Sequence, residues 1–368
     1  TTWTSRRYLG YACRSYNLMN SNTNLLDFNV NVLQEQMEEL GEPKYRAQQL
    51  WHAIYQKQID TLQEATSLPL ILRQILDAKF RLGNLVQIKE LTSKDNRTTK
   101  ALFTLPDGYQ IETVLMSYRK RSTVCISTQA GCALGCVFCA TGQMGFDRHL
   151  TVGEIVEQVL WASRKLNIIG HKLTNIVFMG MGEPFHNYTN SIHALNRIED
   201  SSGMAIGARR VTVSTAGHAD AIKRFAKEGR KERLAVSLHA ATNNLRSKLM
   251  PINRRFPLDK LMEACRIYSS ITHRRVSFEW ALINGVNDSQ EQSNSLCTLL
   301  NNINCHVNVI PLNPTDQYYG DTSSEDATAR FKSQLDKSGI PCTIRVRRGL
   351  DIKAGCGQLK SENIGSAS

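Results

Sequence analysis

Thr123-Val-Cys-Ile-Ser-Thr-Gln-Ala-Gly-Cys-Ala-Leu-Gly-Cys-Val-Phe-Cys-Ala-Thr-Gly142 is the stretch on which the reading of the fold turns. Its opening residues, Thr123 to Ser127, are β-branched or apolar and read as a strand. Cys132, Cys136 and Cys139 then fall within eight residues, in a segment whose glycines let the backbone curl and point several thiols at one centre. Structural zinc sites want four ligands, commonly two separated Cys-x-x-Cys pairs, and here there are three with no obvious fourth. Thiolates also favour iron-sulfur clusters. A four-iron cluster held by three thiolates leaves one iron open to a substrate or cofactor, so the spacing reads as catalytic metal chemistry. The bland alternative is a zinc knuckle that recruits a distant Cys or His.

Downstream, apolar strands alternate with amphipathic helices. Val152 to Leu166 reads as helix and Asn175 to Met179 as strand, followed by Gly180-Met-Gly-Glu-Pro184. Strands are expected at Arg210 to Thr215, Leu234 to His239, Arg275 to Ile283, His306 to Leu312 and Cys342 to Val346. Helices between them are expected at Ala219 to Gly229, Leu258 to Ile271, Gln290 to Asn302 and Glu325 to Ser338. This rhythm implies parallel βα units, and a full or partial (βα) barrel is the first reading, with a doubly wound open sheet second. Upstream, Lys100 to Leu105 and Tyr109 to Met116 flank Pro106-Asp107-Gly108, good hairpin chemistry. From Lys44 to Phe80 the pattern is helical, with Leu50, Trp51, Ile54 and Tyr55 on one stripe; it predicts a small helical domain with Trp51 in its core.

The polar residues of the barrel region share one edge. The cysteine loop follows the strand Thr123 to Ser127, and Gly182 with Glu183 follows the next. Ser214, Ser237 with His239, and Asn313 sit at or just past the ends of later strands. That is where a βα barrel assembles its site. Each residue alone is unremarkable, since a strand serine usually packs and a lone histidine is usually structural.

Composition narrows the class without naming it. In 368 residues, 41% are hydrophobic and 21% charged, which excludes disordered and collagen-like chains, and no apolar run approaches the length of a membrane span. Lys plus Arg number 45 against 33 Asp plus Glu, a net +12 that suits a polyanionic partner. Short basic clusters include Arg119-Lys-Arg121, Arg209-Arg210, Arg254-Arg255, and Arg345 with Arg347 and Arg348. Ten cysteines in a chain this large point to chemistry rather than staples. Residues 1 to 26 hold no acidic side chain but carry Arg6, Arg7 and Arg14, so they read as an unstructured start or an organellar presequence.

Together these motifs carry a resemblance. Cys132-x3-Cys136-x2-Cys139 resembles the cluster motif of radical S-adenosylmethionine (SAM) enzymes. The flanking Cys125 to Gly142, Gly180-Met-Gly-Glu-Pro184, Ser237-Leu-His-Ala240, Pro311-Leu-Asn-Pro314 and the tail Ala354-Gly-Cys-Gly-Gln-Leu359 resemble the RlmN/Cfr family of RNA adenine methyltransferases. The resemblance runs from about Lys44 to Leu359. It implies an α/β fold, a partial (βα) radical SAM barrel with a small N-terminal helical domain and a C-terminal tail loop. The domains are expected at 1–27 (disordered or leader), 28–95 (helical accessory), 96–349 (hairpin and barrel) and 350–368 (tail).

The resemblance also implies roles. Cys132, Cys136 and Cys139 hold a 4Fe-4S cluster, and its open iron is chelated by SAM. Gly182 and Glu183 hold the methionine end of SAM, and Ser214, Ser237, Leu238, His239 and Asn313 line the rest of the pocket. Cys356 accepts a methyl group from one SAM, and a radical from a second SAM activates that methyl for addition to adenine. Cys125 takes the ring proton and forms a disulfide with Cys356 to release product. Glu112 matches a proton acceptor; read from its residues alone, it is a solvent-facing position on a hairpin strand. The implied reaction is methylation of adenine C2 in large-subunit rRNA, and in tRNA as a further substrate. The alternatives are C8 methylation of the antibiotic-resistance kind and a non-catalytic Fe-S RNA-binding protein. An electron donor such as flavodoxin or ferredoxin, a monomeric state and no membrane partner complete the expectation. Free thiols and a cluster need a reducing compartment, cytoplasmic by default and organellar if the basic start is a presequence.

Overall fold

The computed structural model describes residues 23–360. Its N-terminal unit holds three helices, α1 (Val30–Glu39), α2 (Tyr45–Tyr55) and α3 (Leu70–Lys79). Thr23–Asn24 pairs in parallel with Phe80–Arg81 and closes the unit on itself. Of the leader segment expected at 1–27, residues 1–22 lie outside the described residues, and 23–27 are part of this unit, with Leu25 and Leu26 buried. Trp51 is buried as expected, and the Arg197 guanidinium stacks on it at 4.7 Å. Arg197 Nη1 also donates to Tyr55 Oη (3.0 Å) and to the Leu26 carbonyl (3.1 Å), which docks the unit on the barrel.

Ten strands form the main sheet: β1 (Val86–Thr92), β2 (Thr98–Thr104), β3 (Gln110–Tyr118), β4 (Arg121–Cys125), β5 (Asn175–Phe178), β6 (Val211–Thr215), β7 (Arg233–Ser237), β8 (Val276–Leu282), β9 (Cys305–Pro311) and β10 (Cys342–Ile344). They lie across the sheet in chain order without one exchange. β1 to β4 pair antiparallel, and β4 to β10 pair parallel. β1 was expected within the helical domain to residue 95; it is the outer strand of the sheet. Most of it faces solvent, and even its apolar residues Val86 and Ile88 are exposed, so it lacks the buried face by which a strand is recognised.

The parallel steps are spanned by α4 (Ala140–Gln143) and α5 (Val152–Ile168), α6 (Tyr188–Glu199), α7 (Ala219–Lys227), α8 (Asn243–Leu249) and α9 (Leu258–Thr272), α10 (Gln290–Leu299), and α11 (Glu325–Lys337). Right-handed crossovers between strands that never reverse order put all helices on one face and curl the sheet round the other. A doubly wound sheet needs a reversal at a switch point, and none is present among the described residues. The outer strands β1 and β10 do not pair with each other, so the barrel is partial. Leu234, Ala235 and Val236 of β7 are all buried, as expected of a strand covered on both faces. α5 begins with a capping box in which Thr151 and Glu154 satisfy each other's backbone N–H groups. Among the described residues no helix is long and apolar enough to cross a membrane.

Candidate active site

The C-terminal ends of the parallel strands surround a cavity that opens to solvent. Cys132, Cys136 and Cys139 enter it from the loop after β4, and Gly182 and Glu183 from the loop after β5. Ser214 of β6, Ser237 and His239 of and after β7, Asn313 after β9 and Cys356 of the tail complete the predicted lining. Residues separated by more than 200 positions thus share one space.

The cysteine loop is held at both ends. Gly131 and Gly135 adopt positive φ (68° and 62°), which lets the chain reverse tightly. Cys132 N donates to Gly145 O (2.5 Å), and Val137 N donates to Leu249 O at the end of α8 (3.0 Å). Burial pushes the Cys132 thiol up to about 12 and raises Cys136 and Cys139 as well, while the Arg246 guanidinium opposes the rise at Cys136. A bound metal reverses this order, because it stabilises thiolate directly. Among the described residues no three Cys, His, Asp or Glu side chains gather at one point as a single ion requires. Three thiols with no oxygen donor among them form a soft set, of the kind iron-sulfur clusters take.

Gly182 has φ +96°, and a Cβ there would stand 2.5 Å from Gln129 Cβ, so only glycine fits. Gln129 Oε1 in turn accepts from Glu183 N (2.7 Å). Glu183 is buried; its Oε1 accepts from Phe185 N (3.0 Å) and its Oε2 from Ala216 N (2.7 Å). Burial nevertheless lifts its carboxyl to about 7. His239 sits at φ +57°, and its Nδ1 accepts from Ala281 N (2.8 Å). Burial, and then the Arg246 charge, lowers His239 to about 3, which keeps the ring neutral. Leu238, expected in the pocket, is fully buried in the core and absent from the cavity wall. It lies just past the end of β7, where the chain turns into the left-handed conformation of His239, and its side chain packs into the core.

Cys356 borders the cavity, where solvent reaches it although protein surrounds it. Asn313 Nδ2 donates to its carbonyl (3.0 Å), Ala140 N to Gly357 O (2.7 Å) and Thr141 Oγ1 to Leu359 O (2.6 Å). The tail is therefore pinned to the cysteine loop. Cys125 ends β4 and is a buried free thiol outside the cavity wall. Burial raises it, and the negative charge of a Cys356 thiolate raises it further. Glu112 is not solvent-facing. It is buried on β3, pairs with Lys100 Nζ at 2.7 Å and accepts from Lys360 N (3.0 Å), so it grips the tail beyond Cys356.

Three contributors escaped sequence reading. Lys100 also donates to Lys353 O (3.3 Å), and the pair with Glu112 across β2 and β3 is visible only in the register. Buried Arg246 gathers the Ala216, Ser237 and Leu238 carbonyls under the cavity. Glu279, a lone carboxylate in the apolar strand Val276–Leu282, lines the cavity; its isolation in that strand was the one available signal.

Comparison with known proteins adds three findings. Residues 126–296 match the model of the Radical SAM superfamily, and residues 23–82 that of the ribosomal RNA large subunit methyltransferase N-terminal domain. The chain is 48% identical, over 93% of its length and 95% of the relative's, to a dual-specificity RNA methyltransferase RlmN 1 of Myxococcus xanthus. It is 44% identical, over 90% of each, to a probable dual-specificity RNA methyltransferase RlmN of Staphylococcus haemolyticus. Among solved structures, a radical SAM methyltransferase from Sphaerobacter thermophilus superposes with TM-score 0.91 at 47% identity, over 92% of this chain and all of that one.

Proposed function

Because the chain belongs to the RlmN family of radical SAM RNA methyltransferases, we propose that it methylates C2 of a specific adenine in large-subunit rRNA and in tRNA, with Cys356 as methyl carrier. The observation that carries this reading is the meeting of the three-cysteine loop, Glu183 and Cys356 at one cavity, with the free thiol of Cys125 at the end of β4. The match of residues 23–82 to a large-subunit rRNA methyltransferase domain supports the rRNA substrate, and the relatives' description as dual-specificity supports a second RNA.

The family's cofactors are a 4Fe-4S cluster and SAM. The site suits both: three soft donors stand without an oxygen ligand among them, and the buried Asn313 Oδ1 in the same cavity lacks a protein partner among the described residues. When bound, cluster and SAM supply methyl groups and one-electron chemistry that the side chains cannot. Cys132, Cys136 and Cys139 would hold the cluster. Glu183, fixed by two backbone N–H groups, would accept the ammonium of SAM, and Gly182 lets the backbone approach it. Ser214, Ser237 and neutral His239 would orient the rest, and Leu238 contributes its backbone and core packing.

Cys356 would present its sulfur at the cavity because Asn313, Ala140 and Thr141 hold the tail there. Cys125 would take up the ring proton, and as thiolate it would then attack the Cys356 sulfur, forming the S–S bond as the bond from that sulfur to the methylene carbon breaks and that carbon takes a proton, which frees the methylated base. Glu112, charged beside Lys100, would serve as a further proton acceptor and hold the tail. RNA would approach over the exposed basic rim of Arg119, Lys120, Arg121 and Arg347, where Arg121 and Arg348 both stack on Tyr118 (4.3 and 4.7 Å). A flavodoxin- or ferredoxin-like carrier would deliver the electron. Anaerobic reconstitution with iron, sulfide, SAM and reductant, followed by mass analysis of digested RNA, tests the reading. C2-methyladenosine supports it, while C8-methyladenosine or unmodified RNA overturns it.

A further inference from the structure

Two buried carboxylates face the cavity, and they differ. Both oxygens of Glu183 accept backbone N–H groups. Glu279, only 5% exposed at the centre of β8, is half satisfied. Its Oε1 accepts from Asn308 Nδ2 at 2.8 Å, while Oε2 is buried without a hydrogen-bond partner among the described residues. Arg345 Nε stands 4.0 Å from Oε2, an ion pair too long for a hydrogen bond. The neighbours on β8 explain the orientation. Phe278 and Trp280 are buried on the helix-covered face, so Glu279 and Ala281 turn into the cavity. The ladder sets Glu279 opposite Ser237 on β7 and Asn308 on β9, which holds the side chain from both sides.

A buried acceptor without a donor destabilises a fold, and one retained on a cavity wall calls for a donor that the cavity admits. The cavity must admit adenine, whose 6-amino group is a donor. Guanine and hypoxanthine carry an oxygen at that position, which a carboxylate repels. Resting on the reading of this cavity as the SAM and adenine site, we propose that Glu279 Oε2 is the acceptor for the 6-amino group of an adenine and selects it over 6-oxopurines. The adenine belongs either to SAM or to the target nucleotide, and the chemistry is the same for both. Burial raises the Glu279 carboxyl, and Arg345 opposes that rise, so the nearby cation helps to keep the oxygen an acceptor.

Glu279→Gln separates the sources. Asn308 Nδ2 demands the glutamine oxygen, which puts the NH2 where Oε2 stood and sets donor against donor. SAM binding to the reconstituted holoenzyme is measured by equilibrium dialysis, and single-turnover methylation of RNA at saturating SAM is measured beside it. At least tenfold weaker SAM binding assigns the contact to the SAM adenine. At least tenfold slower methylation with unchanged SAM binding assigns it to the target. Changes below threefold in both overturn the proposal. Should the variant fail to fold, wild-type holoenzyme is tested with SAM whose adenine is replaced by hypoxanthine and with RNA carrying inosine at the target. Equal use of both analogues overturns the proposal, and rejection of either supports it. Wild-type enzyme that neither binds SAM nor methylates RNA refutes instead the functional reading beneath it.

Discussion

Lys100→Met removes the cation from a carboxylate that has almost no access to water. The two side chains are 10% and 5% exposed and their charged atoms lie 2.7 Å apart, so solvent screens the pair little. Removing one partner of such a pair typically costs about 3–5 kcal/mol, because the remaining charge stays buried. Here the loss spreads to the tail. Lys100 holds Lys353 O, and Glu112 holds Lys360 N, on either side of Cys356. Denaturant titration is expected to show a loss of that size for Lys100→Met, and a thiol reagent should label Cys356 faster. Glu112→Gln together with Lys100→Met removes both charges, and the double variant should recover much of the stability, with a coupling of at least about 2 kcal/mol. Single losses below about 1 kcal/mol that add to within about 0.5 kcal/mol would refute the claim that this pair anchors the tail.

Three further predictions rest on separate observations. Gly182→Ala should abolish SAM binding, measured by equilibrium dialysis, because its Cβ collides with Gln129 and its φ of +96° suits glycine alone; near-normal binding contradicts the proposed cradle. Burial lifts the Glu183 carboxyl to about 7, so its charge is full above that pH and lost below it. SAM affinity should be roughly tenfold weaker at pH 6 than at pH 8, and a flat profile would exclude Glu183 as the ammonium acceptor. RNA affinity should fall steeply with salt, by ~10³–10⁵ between 50 and 200 mM if six to ten phosphates are gripped, as filter binding would report. Charge reversal at Arg119, Lys120 and Arg121 should flatten that slope, and an unchanged slope would move the RNA elsewhere.

How far the sequence exposes this molecule depends on where the determining contacts lie. β7 is legible because Leu234, Ala235 and Val236 read as an apolar run, β5 and β6 because their apolar residues are short and β-branched or aromatic with buried positions alternating, and the cysteine loop because its ligands are close in sequence. β1 is hidden by its exposure, and α8 by its brevity and polarity. The motif resemblance begins near Lys44, yet the matched N-terminal domain begins at residue 23, since residues 23–43 contribute packing and no chemical motif. Leu238 shows the hazard of carrying Ser237-Leu-His239 as a unit: the outer two line the cavity while the middle side chain is buried in the core. Glu112 reads as exposed because hairpin strands often have one wet face, but here the tail covers it. Lys100, Arg246 and Glu279 depend on partners far along the chain, and no local pattern announces those.

The claim that Cys356 carries the methyl group is the centre of the account, and one comparison tests it most directly. Wild-type enzyme and Cys356→Ala, both reconstituted anaerobically, are incubated with SAM, reductant and RNA; cleaved SAM and methylated adenosine are then quantified by mass spectrometry. C2-methyladenosine is expected from the wild type, and from the variant continued SAM cleavage with no methylated RNA. Normal methyladenosine from Cys356→Ala would contradict it.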